Sequence, residues 1–429
     1  MRVARYHVRS SRKPTVARFC VVAMATLLFA ATAIAQEADA PAALTERDVV
    51  SRALERAPLT DAIEGEVAIE EGRGRAASAY PNPQLSYMRE QTFGTFGTGE
   101  DYLSIAQIID LGNRRGLHGE AGDARARAAR REGDASRLAI AAEARLRFYE
   151  VLYRQDRVAA LEGWLARIAE ALAIVTRREQ RGDAATYDRR RLERERAVAS
   201  GRLETERAAL ERASARLGAL LGTGAGVTSA RVTGTLLPED EPVALASLRA
   251  SSSSRPDLLA LDLRIEAASL DRTAASRWWV PDLRLEGGWK GVDLGRQGRT
   301  DGFLLGASLS IPLWDQSSGL ARIAEGEARS ARGRRALLEL ELDGEIGGAR
   351  AEAVQLRRAA TEFREQTGVA SGDLVRIASA GYEGGELGLL ELLDAYRGAA
   401  DDSLSALDME HAARRARIEL DRLTGAALP

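Results

Sequence analysis

The chain has 429 residues with 61 basic and 63 acidic side chains, a net charge of -2, so it carries no electrostatic footprint for nucleic acid. All but two of the basic residues are arginine, the exceptions being Lys13 and Lys290, and the single cysteine is Cys20. Disulfides and thiolate metal sites are excluded beyond that residue, so stability has to come from packing.

The N-terminus carries Arg2, Arg5, Arg9, Arg12, Lys13 and Arg18, then an apolar run from Phe19 to Ala31 and the small-residue site Ala33-Ile34-Ala35. That is the pattern of a secretory signal peptide, residues 1–35, and the run is too short for the roughly 20 residues of a membrane-spanning helix. Cys20 opens the apolar run and does not follow it, so lipid anchoring is not expected. No helix-length hydrophobic segment follows residue 35, and a membrane part of this chain would have to be a β-barrel, because only helices and closed barrels satisfy backbone polar groups in lipid.

The rest of the chain is written twice, as residues 36–222 and 243–425 joined by a linker at 223–242 rich in Gly, Thr, Pro and acids. Pro58 matches Pro256, Tyr80 matches Trp278 and Pro83-Gln84-Leu85 matches Pro281-Asp282-Leu283 at an offset of 198. Gly116 and Gly319, Gly182 and Gly385, Asp188 and Glu391, and Gly222 and Gly425 match at 203, as one insertion in a hairpin tip would produce. Two copies of so long a period indicate a duplicated half-protein and not a solenoid.

In chain order, residues 45–78 read as a helix with Thr45 as N-cap, stopped by Pro81 and Pro83. The period then changes to two over a hairpin at 83–110: Leu85, Tyr87 and Phe93 share a face opposite Gln84, Ser86 and Glu90, and Met88 and Arg89 break the alternation. The second hairpin, 281–312, alternates more cleanly, with Leu283, Leu285, Gly287 and Trp289 on one side of Arg284, Glu286 and Lys290. Strands of about ten residues with one apolar and one polar or small face suit a membrane barrel. Four strands cannot close one, so the barrel would be shared, and three chains would supply twelve. Tyr80, Trp278, Trp279 and Trp314 stand at the strand ends, where aromatics suit a headgroup girdle. The alternative at this level is a pair of soluble hairpins packed on helices, with those aromatics capping the helix ends.

Each hairpin is followed by a long helical hairpin, 114–221 and 319–424, with proline-free arms rich in Ala, Leu, Arg and Glu. Val151, Val158, Leu161, Leu165, Ile168, Leu172 and Val175 hold the a/d positions of a heptad, as do Leu203, Leu210 and Leu217 in the returning arm. Leu389, Leu392, Tyr396 and Ala399 keep the seam in the second half, whose long helix is weakened by Gly344, Gly347, Gly348 and Gly368. The turns Arg181-Gly182-Asp183-Ala184-Ala185-Thr186 and Gly384-Gly385-Glu386-Leu387-Gly388 join the arms. Their glycines suit a left-handed backbone, and Asp183 and Glu386 are expected at helix N-termini, where the macrodipole favours acids.

Tyr80-Pro-Asn-Pro-Gln-Leu85 and Gln107-Ile-Ile-Asp-Leu-Gly-Asn-Arg-Arg115, set in a doubled chain with a signal peptide, resemble the TolC-like outer-membrane factor family over essentially the whole mature chain. The second segment is most similar to the branch serving cobalt-zinc-cadmium efflux. The resemblance implies a mainly α fold with a membrane β part: a homotrimer in outer-membrane lipid with a twelve-stranded β-barrel continued by a helical tunnel in the periplasm. It also implies a periplasmic adaptor (membrane fusion) protein docked at the two tip turns and a proton-driven inner-membrane pump of the RND type behind it. Asp183, Glu386 and Asp373, each present three times in a trimer, would then be candidates for an acid ring at the entrance. Ducts for drug efflux or type I secretion belong to the same family, and a soluble periplasmic coiled-coil scaffold is the alternative from another class.

No catalytic, cofactor or metal motif stands out. Gly222-x-Gly224-x-Gly226 follows a helix and not a strand, and His118, His411, Met88 and Met409 are isolated, which favours packing or surface roles over metal ligation.

Overall fold

The computed structural model describes residues 43–94, 97–222 and 231–426. The expected signal peptide, residues 223–230 of the linker and the Gly224 and Gly226 positions lie outside the described residues.

Helix α1 (Glu46–Leu54) begins at Thr45, whose hydroxyl and backbone N–H form a capping box with Asp48. The expected single helix 45–78 is in fact two. The chain is extended at Arg56 and α2 (Ala57–Ser78) restarts with Pro58 in its first turn, because proline cannot donate to the preceding turn but fits a helix start. Strands β1 (Gln84–Gln91) and β2 (Gly99–Ile109) lead to α3 (Arg114–Arg181) and α4 (Thr186–Leu221). The second half repeats this order: α5 (Leu245–Ser252), α6 (Pro256–Ser276), β3 (Leu283–Asp293), β4 (Arg299–Leu309), α7 (Ser318–Gly384) and α8 (Leu389–Thr424). At 1.5 Å per residue, the 68 residues of α3 make it about 100 Å long.

Helix α3 packs against α2, α4, α6 and α8, and α7 against α6 and α8. Near the sheet, α2 and α3 touch backbone to backbone: a Cβ on Gly122 would lie 2.3 Å from Gly74 Cα. Half-way down, Val49, Val50, Phe148, Val151 and Leu217 form a core with Val232 and Leu236 of the linker. The linker is held there by arginines that donate to its carbonyls. Arg414 reaches Thr235, Leu236 and Leu237 at 2.7–2.9 Å, and Arg357 reaches Pro238 and Glu239. Towards the far end, the heptad residues Leu161, Ile168 and Val175 meet Leu192, Leu203, Leu392 and Tyr396 in a second core of the four long helices.

In that second core one charge is buried. Glu195, 5% exposed, accepts from Arg397 Nε at 2.7 Å and also from an Arg397 Nη, linking α4 to α8. The Arg397 guanidinium holds the Glu195 carboxyl below its ordinary value.

Two stability predictions follow from these contacts. Gly122→Val has to push α2 off α3 and lowers stability by about 1–3 kcal/mol, read as a shifted unfolding midpoint in detergent; an unchanged midpoint would refute the close crossing. Arg397→Met leaves Glu195 without its cation. Because the Arg397 side chain is 42% exposed, solvent screening trims the cost to about 1–2 kcal/mol. The pair contributes fully above the ordinary glutamate value of about 4.3 and its contribution fades as pH falls below it. The gap between wild type and variant therefore narrows from pH 6 to pH 3, whereas a gap independent of pH would assign Arg397 a packing role only.

Candidate functional site

The four strands form one antiparallel sheet in the order β1-β2-β3-β4, and among the described residues the outer edges of β1 and β4 pair with nothing. Residues facing each other across the ladder share a face, so the register sorts the sheet into two surfaces. One surface carries the row Tyr87, Leu103, Trp289 and Phe303, then Leu85, Ile105, Gly287 and Leu305, and further rows through Leu285 and Ala307 to Ile109, Leu283 and Leu309. These side chains have no cover: Phe303 is 82% and Leu305 77% exposed. A contiguous apolar surface of this kind marks a partner or a lipid phase.

The apolar rows end in charge at the hairpin tips. Asp101 accepts from Tyr87 at 2.8 Å and pairs with Arg89 at 3.3 Å and Arg299 at 3.5 Å. Arg89 and Met88 interrupt the alternation, as the sequence suggested, without interrupting the strand. Arg89 occupies the next place on the same face as Leu85 and Tyr87, with Met88 on the other, and β1 runs unbroken to Gln91. Phe93 lies beyond the strand.

The opposite surface is mostly polar or small, with Met88, Tyr102, Ile108, Val292 and Leu304 as its larger members. Ser104 donates to Glu286 at 2.6 Å, Lys290 pairs with Glu100 at 2.7 Å, and Ser86, Gly288, Gly306 and Ser308 fill the positions between. Gly288 has to be glycine, since a Cβ would lie 2.2 Å from Leu103 O.

At the other end of the strands, the segment Gln107 to Arg115 is a joint. Asp110 accepts from the Gly112 and Arg115 backbone N–H groups at 3.0 and 2.7 Å, and Arg114 donates to Asp282 at 2.6 Å. Arg115 donates to Ala79 O and Arg277 to Gly112 O. These bonds tie the ends of α2, β2, α3, α6 and β3 together and fix the angle at which sheet meets helices. His118 belongs to the same joint, 2.8 Å from Asp271. His411 is stacked on Tyr153 with centroids 4.3 Å apart, and desolvation holds it below its ordinary value. Tyr80, Trp278, Trp279 and Trp314 all lie at the junction level; Trp279 and Trp314 are exposed and Trp278 half-buried.

The turns lie at the far end of the helices. Gly182 and Gly385 adopt φ values of 85° and 79°, the left-handed region, and each closes its helix. Asp183 N–H reaches Arg178 O at 2.9 Å and Glu386 N–H reaches Gly381 O at 2.8 Å. Contrary to expectation, Asp183 and Glu386 stand in the turns and are not helix caps. The helices start later, at Thr186 and Leu389, and their first-turn acids are Asp188 and Glu391. Asp183 and Glu386 are exposed, as are Arg181, Gly384 and Gly388. Ala184 and Leu387 are partly buried and pack against the core of the long helices. Asp373 lies about three turns up α7 and pairs with Arg376 at 3.2 Å, so it is not brought to the turn. Sequence reasoning missed the contact that joins the two turns. Arg178 donates to Glu383 O at 2.8 Å, and its guanidinium lies 5.0 Å from the centroid of Tyr382, a buried ring whose hydroxyl desolvation pushes upward.

Comparison with known proteins accords with this geometry. The family model described as outer membrane efflux protein matches residues 248–426. The nickel and cobalt resistance protein CnrC of Cupriavidus metallidurans is 25% identical over 267 residues, 59% of this chain and 61% of that protein, so the match spans less than two thirds of that relative. The cobalt-zinc-cadmium resistance protein CzcC of the same organism is 25% identical over 374 residues, 83% of this chain and 84% of that one. Among solved structures, a membrane protein from Pseudomonas aeruginosa gives a TM-score of 0.69 at 20% identity over 88% of this chain and 90% of that one. The outer membrane protein VceC of Vibrio cholerae gives 0.68 at 17% identity over 89% and 96%. With its four-stranded sheet and its long helices the chain shares the fold of these structures, and its second half matches the outer membrane efflux protein model.

Proposed function

We propose that three copies of this chain form an outer-membrane channel, the passive exit duct of a tripartite efflux system. The observation that carries the reading is the open sheet, apolar on one face, polar on the other and unpaired at both edges. In a bilayer each unpaired backbone group costs several kcal/mol, so β1 of one copy has to meet β4 of the next until the sheet closes. Three copies give twelve strands, with the Leu85 and Leu305 face to lipid and the Ser104 and Glu286 face to water. The exposed Trp279 and Trp314 then sit at the inner headgroup level, and the long helices extend into the periplasm.

The cargo we infer is a heavy-metal cation delivered by a proton-driven inner-membrane pump through a periplasmic adaptor. The resistance named for the two Cupriavidus relatives supports this cargo. A duct of this kind needs no catalytic group. The turns around Gly182 and Gly385 are the parts farthest from the sheet and are proposed as the adaptor contact. Asp183 and Glu386, exposed and repeated in every copy, place carboxylates at that entrance, where they favour cations.

Purified protein should migrate as a heat-resistant trimer and conduct in planar bilayers, with cations favoured over anions. A monomer that never conducts would exclude the channel. Gly182→Val and Gly385→Val place a β-branched residue at a left-handed position, and each should abolish metal tolerance in cells while leaving the trimer in the outer-membrane fraction. Undiminished tolerance in both would remove the turns from the docking surface.

A further inference from the structure

His411 is a buried histidine that the duct proposed above does not use. It lies on α8 where α3 crosses, at a gap in the apolar packing. On one side of the gap Phe148, Val151 and Leu152 share a core with Ile418, and Leu407 packs against it. On the other side Leu161 and Ile168 open the core of the four long helices, with Val158 and Leu404 packed against that one. Between the two cores the helices touch through charged and aromatic groups instead.

Those groups form a network that leaves one member out. Arg154 donates to Glu150 at 2.8 Å and to Glu206 of α4 at 3.0 Å, and Arg157 donates to Glu206 at 3.0 Å and to Asp408 at 2.5 Å. Tyr153 donates to Asp408 at 2.6 Å, and the Arg154 and Arg157 guanidiniums lie 4.9 and 5.4 Å from its ring centroid. His411 lies flat against the same ring, with 4.3 Å between centroids and 9° between planes. It is 8% exposed, and its Nε2 atom is sealed from solvent with no hydrogen-bond partner among the described residues. Glu150 Oε2 stands 3.4 Å away, longer than a good hydrogen bond, and its carboxylate is already held by Arg154.

A neutral ring fits this place and a protonated one does not. The imidazolium would be a cation out of water beside Arg154 and Arg415, with Glu150 and Asp408 already engaged. Burial accordingly holds the imidazole below its ordinary value. The unfolded chain takes up this proton near pH of about 6.5 and the folded chain only at lower pH, so the stability contributed by the neutral stack is full above that value and lost as pH falls below it. A cavity of about 410 Å³ adjoins the ring, lined by Glu143, Arg147 and Glu150 of α3, Arg216 of α4 and Arg415 of α8. It gives a charged ring room to swing off Tyr153. Towards α7, Glu410 meets Arg364 at 3.4 Å; burial raises Glu410 and Asp156, which therefore respond to acid in the opposite sense.

We propose that His411 is a proton-operated release at the crossing of α3 and α8: neutral, it holds the two helices together across Tyr153, and protonated, it leaves the stack for the cavity and lets them part. The inference rests on the channel reading, because the helices that part are walls of the proposed tunnel. A duct fed by a proton-driven pump then opens more readily in acid surroundings.

The test uses the full-length chain with His411→Phe, which keeps a flat ring on Tyr153 but takes no proton. His411→Gln, equally unable to be protonated, is the second variant should the first fail to fold. In planar bilayers, going from pH 7 to pH 5 should raise the opening frequency of the wild type about tenfold, the factor that each pH unit below the value of an exposed imidazole supplies to a state in which the ring is wet. The variants should keep their pH 7 frequency. In detergent, the wild-type unfolding midpoint should fall relative to that of the variant over the same range. Equal acid responses in wild type and variants, or none in either, would overturn the release and leave the channel standing. A midpoint gap that grows without any difference in opening would overturn it as well, making His411 a packing group. Wild-type protein that conducts at neither pH would sink the channel reading itself, and the release with it.

Discussion

The structure depends on one constraint: a sheet of four strands exposes two rows of backbone N–H and C=O groups at its edges, and lipid offers them no partner. Soluble proteins blunt such edges with charge, proline or a covering loop. Here the edge strands are long and regular, and β4 carries Phe303, Leu305 and Leu309 on the face that β1 continues with Leu85 and Tyr87. An edge left in that condition is complete only when another copy occupies it.

Duplication makes the closure geometrically natural. Because α2-β1-β2-α3 and α6-β3-β4-α7 are one pattern used twice, the contact that joins the first half to the second inside a chain can also join the second half to the first of the next chain. The ladder between β2 and β3 and the crossing of α3 on α6 are the places where the two halves meet inside the chain. Sequence differences between the halves mark where the two uses diverge. Ala267 on α6 faces a fixed partner in its own chain, whereas its counterpart Ile69 on α2 stands open.

Much of this was legible in the residues, for identifiable reasons. Alternation in β3 and β4 and the heptads around Ile168 and Leu392 are periodic signals set by burial on one face, and they survived intact. The break between α1 and α2 was not read, because alanine-rich sequence around a single early proline looks continuous until the chain has to turn at Arg56. Arg89 broke the alternation without explanation because a charge on the apolar face makes sense only once Asp101 and Arg299 are seen beside it at the rim. Asp183 and Glu386 stand two residues before the caps Ala185 and Gly388, because the turn that closes one helix is not the start of the next. The tie from Arg178 to Tyr382 left no local signal, since its partners are about two hundred positions apart.

The two ends of the molecule are held by different kinds of force, and that difference bears on how a duct opens. At the sheet end, Asp110, Arg114, Arg115 and Arg277 lock five elements through charge-assisted bonds to backbone and carboxylate, so the angle between sheet and helices is fixed. At the turn end, the first turn is held to the second by one guanidinium resting on one ring and one carbonyl. Such a contact is worth about 1 kcal/mol or a little more, a quantity that a docking partner can readily exceed. Movement is therefore expected to concentrate at the turns and to leave the membrane end unchanged, which is where a channel fed from the periplasm has to yield.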